Sequence, residues 1–236
     1  ALRSIGNRRA TAILTVLTVA ISVMLFLGVE KVRHGARESF ENTISGVDLI
    51  VGARSSPVNL LLYSVFHIGD ATNNITWESY ETVASAPGVS WTVPISLGDS
   101  HRGHRVIGST PGLFDHYEYG GGRTLEFASG APFDDLFDAV IGAAVARDLG
   151  YQTGDEIVVA HGMGEVGFIE HDSNPFTVVG VLEATGTPLD QSVMVTLEAI
   201  EAIHMGGATG SGSTLSADEL RTRDLTPDQL TAFYVG

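Results

Sequence analysis

The sequence predicts an α+β protein that begins with one membrane-spanning helix. A run of twenty uncharged residues, 10–29, would extend about 30 Å as a helix, which is the thickness of the hydrocarbon core of a bilayer. Behind it, short strand and helix patterns alternate without the long crossovers of a doubly wound parallel sheet. The chain is 44% hydrophobic, and the part after the helix is long enough to bury a core.

The apolar run is better explained as a retained helix than as a cleaved leader. A secretory signal has an apolar region of about 7–15 residues followed by a small-residue cleavage site. Here the run is longer, and Glu30 and Lys31 follow it directly. Arg8 and Arg9 are compatible with a twin-arginine export signal, but the same missing site argues against one. Lysine and arginine are equally frequent on the two flanks, so charge does not orient the helix.

The hydroxyl residues of this helix lie on one face, because they recur at helical spacing. They are Thr11, Thr15, Thr18 and Ser22. Small hydroxyl residues let helix backbones approach closely in lipid, so the stripe predicts packing against further membrane helices. The alternative is that each hydroxyl bonds a carbonyl of its own preceding turn and has no other role.

The remainder of the chain is acidic and offers no catalytic motif. From residue 55 onward there are six arginines, no lysine and 24 acidic residues, which excludes a nucleic-acid footprint. The absence of cysteine excludes disulfides and thiol nucleophiles. Asp134, Asp135 and Asp138 are interpreted as a solvated face rather than an active site. The segment 207–214 has the glycines and hydroxyls of a phosphate-binding loop but lacks its lysine.

The histidines are the only candidates for a metal site. His101 and His104 bracket a predicted turn with Asp99 nearby, and His171 lies between Glu170 and Asp172. Imidazoles with a carboxylate are ligands of zinc, nickel and copper, so His101, His104, His161 and His171 are the candidate ligands. The alternative is that they are turn and surface histidines of an acidic domain. No cofactor is predicted.

Local signals place the remaining elements. Predicted strands cover 47–52, 90–97, 104–108, 139–141, 156–160, 176–182 and 193–195, and predicted helices cover 76–86, 143–149 and 197–204. The apolar segment 58–66 suits a helix, with a strand as the alternative; it is either core or a contact for a lipidated or peptide substrate or a partner. Thr226, Pro227 and Gln229 form a helix-start pattern, so a helix is expected through Val235.

Several short motifs, taken in order, carry a family resemblance. They are Ala1-Leu2-Arg3-Ser4, Asn7-Arg8-Arg9, Ala139-Val140-Ile141-Gly142, Ala144-Val145-Ala146, Leu149-Gly150, Gly154-Asp155 and the strand 176–182. Together they resemble the MacB/FtsX/LolC-type ABC transporter permeases. The resemblance implies a first membrane helix, a periplasmic domain and three further helices beyond this sequence. It implies a periplasmic domain of two lobes, in which a mixed βαβ lobe is split around an inserted, mainly-β lobe.

With the residue patterns, the resemblance divides the chain into seven segments. These are a cytoplasmic flank (1–9), the transmembrane helix (10–29), a stalk (30–46), the first part of the α+β lobe (47–110), the inserted mainly-β lobe (111–204), a flexible loop (205–225) and the start of a returning stalk helix (226–236).

The resemblance also implies a function and a set of partners. The chain is expected to be a permease subunit in the bacterial inner membrane, coupling cytoplasmic ATP hydrolysis to periplasmic movement. A lipoprotein, a peptide or a small molecule would be exported or extracted. The implied partners are a cytoplasmic ABC ATPase, a second permease copy, and a periplasmic adaptor or substrate protein. The alternative is a membrane-anchored periplasmic binding or metal-sensing module without a transport role.

Overall fold

The computed structural model describes residues 9–69, 71–161, 174–205 and 215–236, with the backbone alone at 36–41 and 161. The chain divides into two compact units, 1–41 and 42–236. The sequence motifs at 1–8, the segment 207–214 and His171 lie outside the described residues.

The first element, α1, is one long helix over Arg9–Thr43. It runs through the predicted transmembrane segment and most of the predicted stalk. Within the described residues, Arg9–Gly35 is the one helix long and apolar enough to cross a membrane. The helix does not break between the predicted transmembrane segment and the predicted stalk. The point at which it leaves the membrane therefore stays a prediction.

The second unit contains short strands and helices in a mixed order. The strands are β1 (Leu49–Gly52), β2 (Ile75–Thr76), β3 (Thr92–His101), β4 (His104–Ser109), β5 (Glu118–Tyr119), β6 (Arg123–Thr124), β7 (Phe127–Gly130), β8 (Asp138–Ile141), β9 (Glu156–Ile157), β10 (Ala160–His161), β11 (Phe176–Leu182), β12 (Ser192–Thr196), β13 (Gln229–Leu230) and β14 (Ala232–Val235). The helices are α2 (Pro57–Ser64), α3 (Trp77–Ala84), α4 (Gly112–His116), α5 (Ala143–Leu149), α6 (Leu197–His204) and α7 (Ala217–Leu220), with a 3₁₀ turn at Pro188–Gln191.

A ten-stranded mixed sheet organises this unit. Its main path runs β1-β14-β3-β4-β12-β8-β11-β7, and β10 and β9 join it at β3 and β11. The half from β1 to β4 comes from segments on either side of residues 111–204, and the half from β12 to β7 comes from within them. The two halves meet where β4 and β12 pair in parallel. The predicted α+β class is confirmed, and the lobe boundaries stay a prediction.

The hydrophobic core lies at the buried strands of the second half of the sheet. Its largest apolar cluster joins β8, β11 and β12 to α6, with Phe176, Val193 and Val195 fully buried. Local signals hold these elements in place. The Thr196 hydroxyl accepts from the Ala199 N–H at 3.1 Å to begin α6, and Gly150 ends α5 in the left-handed conformation with φ of 75°.

The prediction of a helix that begins at Thr226 is wrong. The Asp224 carboxylate accepts hydrogen bonds from both the backbone N–H and the hydroxyl of Thr226. The residue predicted to cap a helix is therefore part of a turn. The chain then enters β13 and β14, and β14 lies between β1 and β3 with all four residues buried. Sheet pairing on both sides satisfies the backbone more fully than a short isolated helix would.

The predicted loop at 205–225 is also corrected in its second part. Residues 217–220 form the short helix α7. The Ser216 hydroxyl accepts from the Glu219 N–H, and the Glu219 carboxylate accepts from the Ser216 N–H. This reciprocal capping box gives the segment a defined start, and the sequence analysis did not use it.

Candidate functional site

The membrane helix α1 presents an apolar surface to its surroundings. Large side chains along it are more than half exposed within this chain, among them Leu17, Met24 and Phe26 at 53%, 76% and 69%. A helix that is apolar all round belongs in a protein core or a bilayer. None of its most apolar window is buried in the protein, so a bilayer or further helices must cover it.

The hydroxyl stripe bonds within its own helix. The Thr15 hydroxyl donates to the Thr11 carbonyl and the Thr18 hydroxyl to the Leu14 carbonyl, each at 2.9 Å. These bonds satisfy the donors in an apolar medium and leave small side chains on the surface. Packing of another helix on Thr11, Thr15, Thr18 and Ser22 stays a prediction.

The last two residues of α1 and the two that follow, 42–45, belong to the second unit and are hydrogen-bonded within it. Thr43 and Ile44 are buried there. The Tyr117 hydroxyl donates to the Thr43 carbonyl at 2.5 Å, and the Gly120 N–H donates to the Asn42 carbonyl at 2.9 Å. The last carbonyls of a helix lack partners within the helix, and these two obtain them from the sheet domain.

A glycine-rich hairpin completes this junction. Ser45 donates its N–H to the Glu118 carbonyl at 2.8 Å, next to the β5–β6 turn. That turn consists of Gly120, Gly121 and Gly122, all with positive φ, a backbone region that favours glycine. We call residues 42–45 with 117–122 the junction. The sequence-based predictions do not include it, although the three consecutive glycines after Tyr117 and Tyr119 indicate a tight turn.

The structure brings two of the four candidate metal ligands near each other but directs their rings apart. His101 and His104 face each other across the β3–β4 hairpin. His101 donates from Nδ1 to the Val158 carbonyl at 2.6 Å, and its Nε2 lies 3.1 Å from the Tyr151 hydroxyl. His104 Nδ1 instead donates to the Gln191 carbonyl at 3.1 Å. Burial lowers the pKa of His101, which favours its neutral form.

The other two candidates cannot be placed against them. The backbone of His161 pairs with that of Asp99 in β10 and β3, and His171 lies outside the described residues. Among the residues that the structure does describe, no three histidine or carboxylate side chains converge as a metal site would require. Asp99 is buried, with its Oδ1 3.5 Å from Nε2 of His204 on α6. A metal site stays a prediction without structural support.

The apolar segment 58–66 forms α2 and the turn after it. Tyr63 and Val65 are buried, whereas Val58 and Leu62 are exposed. The Tyr234 hydroxyl of β14 donates to the Ser64 carbonyl at 2.5 Å, which fixes the helix against the sheet. The segment is therefore partly core, with a narrow exposed apolar side.

An exposed apolar helix long enough to cross a membrane, followed by an α+β sheet domain, is typical of a membrane-anchored protein. The family model described as "MacB-like periplasmic core domain" matches residues 12–232, and the chain belongs to this family. The resemblance to ABC transporter permeases is thereby confirmed, and the family supports a transporter permease role.

Solved structures of the same kind are similar to this chain. One is the periplasmic region of MacB from Actinobacillus actinomycetemcomitans, at 12% identity, a TM-score of 0.46, and coverage of 80% of this chain and 75% of that one. Another is the extracellular domain of the noncanonic ABC-type transporter YknZ from Gram-positive bacteria, at 15% identity, a TM-score of 0.40, and coverage of 69% and 73%. No curated protein matches the chain.

Proposed function

We propose that the chain is the permease subunit of an ABC transporter in which cytoplasmic ATP hydrolysis moves the sheet domain on the far side of the membrane. The junction carries this proposal. A protein that uses its helix only as an anchor can end it in a flexible linker, whereas here residues 42 and 43, at the end of the helix, and Ser45 are hydrogen-bonded within the sheet domain. A displacement of residues 42–45 therefore acts directly on residues 117–122.

The proposal includes partners that lie outside this chain. Hydrolysis requires a phosphate-binding loop, and the one glycine-rich candidate in the sequence lacks the lysine. We therefore assign ATP hydrolysis to a cytoplasmic ABC ATPase outside these residues, either a partner subunit or a further domain. A second permease copy and further membrane helices would cover the apolar surface of α1. The location is the bacterial inner membrane, with the sheet domain in the periplasm, and the cargo is a lipoprotein, a peptide or a small molecule.

Spin labelling of the full-length protein tests this proposal. These 236 residues contain no cysteine, so once any cysteine elsewhere in the protein is replaced by serine, a single engineered cysteine at exposed Thr72 accepts one label. The protein is co-purified with its cellular ATPase into nanodiscs, and distances between labels on the two copies are measured with and without ATP and vanadate. We expect the distance distribution to change with nucleotide. If no ATPase co-purifies and the distances stay constant, the protein is an anchored binding module and the proposal is wrong.

Two tyrosine variants distinguish a loss of coupling between the junction and the movement of the sheet domain from a general loss of stability. Tyr117→Phe removes the hydroxyl that bonds the Thr43 carbonyl, and we expect it to reduce the nucleotide-dependent distance change. Tyr80→Phe is the matched control, because the Tyr80 hydroxyl bonds the Thr92 hydroxyl at 3.0 Å, away from the junction. Equal effects of the two variants on the distance change would contradict a role of the junction in coupling.

A further inference from the structure

A groove beside β1 combines an apolar floor with polar groups at its rim. It has a volume of about 440 Å³, within the range typical of small-ligand sites. Its apolar floor includes Val51 of β1, Ile75 of β2 and Val83 of α3. Its polar groups include Arg54, in the turn after β1, and the side-chain amides of Asn73 and Asn74.

The register of the sheet extends the apolar floor along β1. Val51 is paired with Phe233, so both side chains lie on the same face of the sheet. Leu49, two residues earlier, shares that face by the alternation of a strand. It is 60% exposed, which is high for a large apolar side chain outside the membrane helix. Leu49 thus adds an exposed apolar side chain on the face of β1 that carries Val51, next to the residues that line the groove.

The charge of the groove is opposite to that of the domain. From residue 55 onward the acidic residues outnumber the arginines 24 to six. None of the described residues that line the groove is acidic, and Arg54 lines it. Other arginines of the domain are engaged elsewhere. Arg221 pairs with Asp135 at 2.6 Å, Arg147 with Asp148 at 2.9 Å, and Arg105 donates to the Gly69 carbonyl at 2.8 Å.

We propose that this groove binds the carboxyl-terminal end of an apolar peptide. The planar guanidinium of Arg54 matches a carboxylate in two parallel hydrogen bonds, and the amides of Asn73 and Asn74 are further donors. The side chains of the last residues lie on the apolar floor formed by Val51, Ile75 and Val83, which are partly exposed. Capture of a free carboxylate beside apolar pockets is a recurring mode of peptide recognition. The use of the groove as a cargo site rests on the proposed function, whereas binding itself requires neither an ATPase nor transport.

A direct binding measurement tests the proposal on the full chain in nanodiscs. The probe is the peptide Gly-Leu-Val-Phe with fluorescein on its amino terminus and a free carboxylate, followed by fluorescence anisotropy. We expect saturable binding, which weakens by about tenfold or more when the carboxylate is replaced by an amide, since hydrogen bonds to charged groups are the stronger kind. The Arg54→Gln variant is expected to bind the peptide with a free carboxylate only as weakly as the unchanged chain binds the peptide amide. Arg147→Gln, which removes the same charge outside the groove, is the control and should leave binding unchanged.

Three results would overturn the proposal. The first is no saturable binding up to about 1 mM, the weak end of measurable affinities. The second is equal binding of acid and amide in both the unchanged chain and Arg54→Gln. The third is displacement of the probe by decanoate at lower concentration than by unlabelled peptide, which would identify an acyl-chain site instead. Circular dichroism of Arg54→Gln checks that the fold is retained. A negative result leaves the ATP-driven movement intact, because that experiment uses no peptide.

Discussion

At the scale of single residues, His67 shows the largest pKa shift among the histidines whose side chains the structure describes. It follows α2 with φ of 54°, and its Nδ1 donates to the Ser192 hydroxyl of β12 at 3.2 Å. That hydroxyl donates in turn to the Pro188 carbonyl at 3.0 Å, which assigns the proton between His67 and Ser192 to the imidazole. Burial and the neighbouring Arg105 guanidinium lower the pKa of His67 to about 4. His67 is therefore neutral at pH 7 in the folded protein.

The lowered pKa of His67 predicts a loss of stability in acid. Between pH 6.5 and about 4 the unfolded chain binds a proton at His67 that the folded protein does not. The free energy of unfolding therefore falls as the pH decreases through this window, by on the order of 1–3 kcal/mol from this residue. Asparagine tolerates the positive φ at this position but does not titrate. The free energy of unfolding of the His67→Asn variant should therefore decrease less between pH 7 and pH 4.5 than that of the unchanged chain.

Urea unfolding of the full chain in detergent at the two pH values measures this difference. His34→Asn, on the exposed surface of α1, is the matched control and should follow the unchanged chain. Parallel pH profiles for the unchanged chain and His67→Asn would show that His67 does not contribute.

At the scale of elements, the strand β14 connects the first half of the sheet. It pairs with β1 on one side and β3 on the other, so β1 has no other neighbour along the main path. Its Phe233 is fully buried and meets the Tyr80 ring of α3 edge-on, with centroids 5.1 Å apart. β14 thereby packs against α3 and β1, and its Phe233 supports the lining of the groove from beneath.

Truncation of Phe233 is expected to be among the most destabilising single changes in the sheet. Phe233→Ala removes a fully buried ring and leaves a cavity, at a cost of about 3–5 kcal/mol in the free energy of unfolding. Phe127→Ala on the edge strand β7 is the matched control, and it should cost less than half as much because Phe127 is only half-buried. Urea midpoints compare the two variants. Equal losses would mean that β14 is not the central element described here.

The outcome for β14 shows which elements the sequence can predict. The bounds of β11 and α6 are predicted correctly, because a β-branched run and a threonine cap act within a few residues. The helix-start pattern at Thr226 is equally local. The residues after it nevertheless form a strand, because they pair with β1 on one side and β3 on the other. The junction contacts from Tyr117 and Gly120 join segments about seventy residues apart, and no local pattern encodes such pairs.

At the scale of the whole molecule, the two units differ in what stabilises them. The second unit, 42–236, has its own apolar cluster in the sheet, with residues of β8, β11 and β12 fully buried. The first unit has no comparable interior among its described residues, since the apolar side chains of α1 are exposed. We therefore expect the sheet domain to fold without a membrane, whereas the apolar surface of α1 has to be covered by a bilayer or by further helices.

This difference predicts that a chain of residues 36–236 is soluble and folded without detergent. Its acidic surface opposes association, and the complete sheet is retained; a chain ending at residue 225 would instead lose β14. The full chain should fractionate with membranes, and replacing Leu17 and Leu25 with arginine should release it, since each charge at the centre of a bilayer costs roughly 2.5–3.5 kcal/mol. Sedimentation and far-ultraviolet circular dichroism measure both results. If residues 36–236 aggregate or lack β structure without detergent, the sheet domain depends on the membrane helix for its fold.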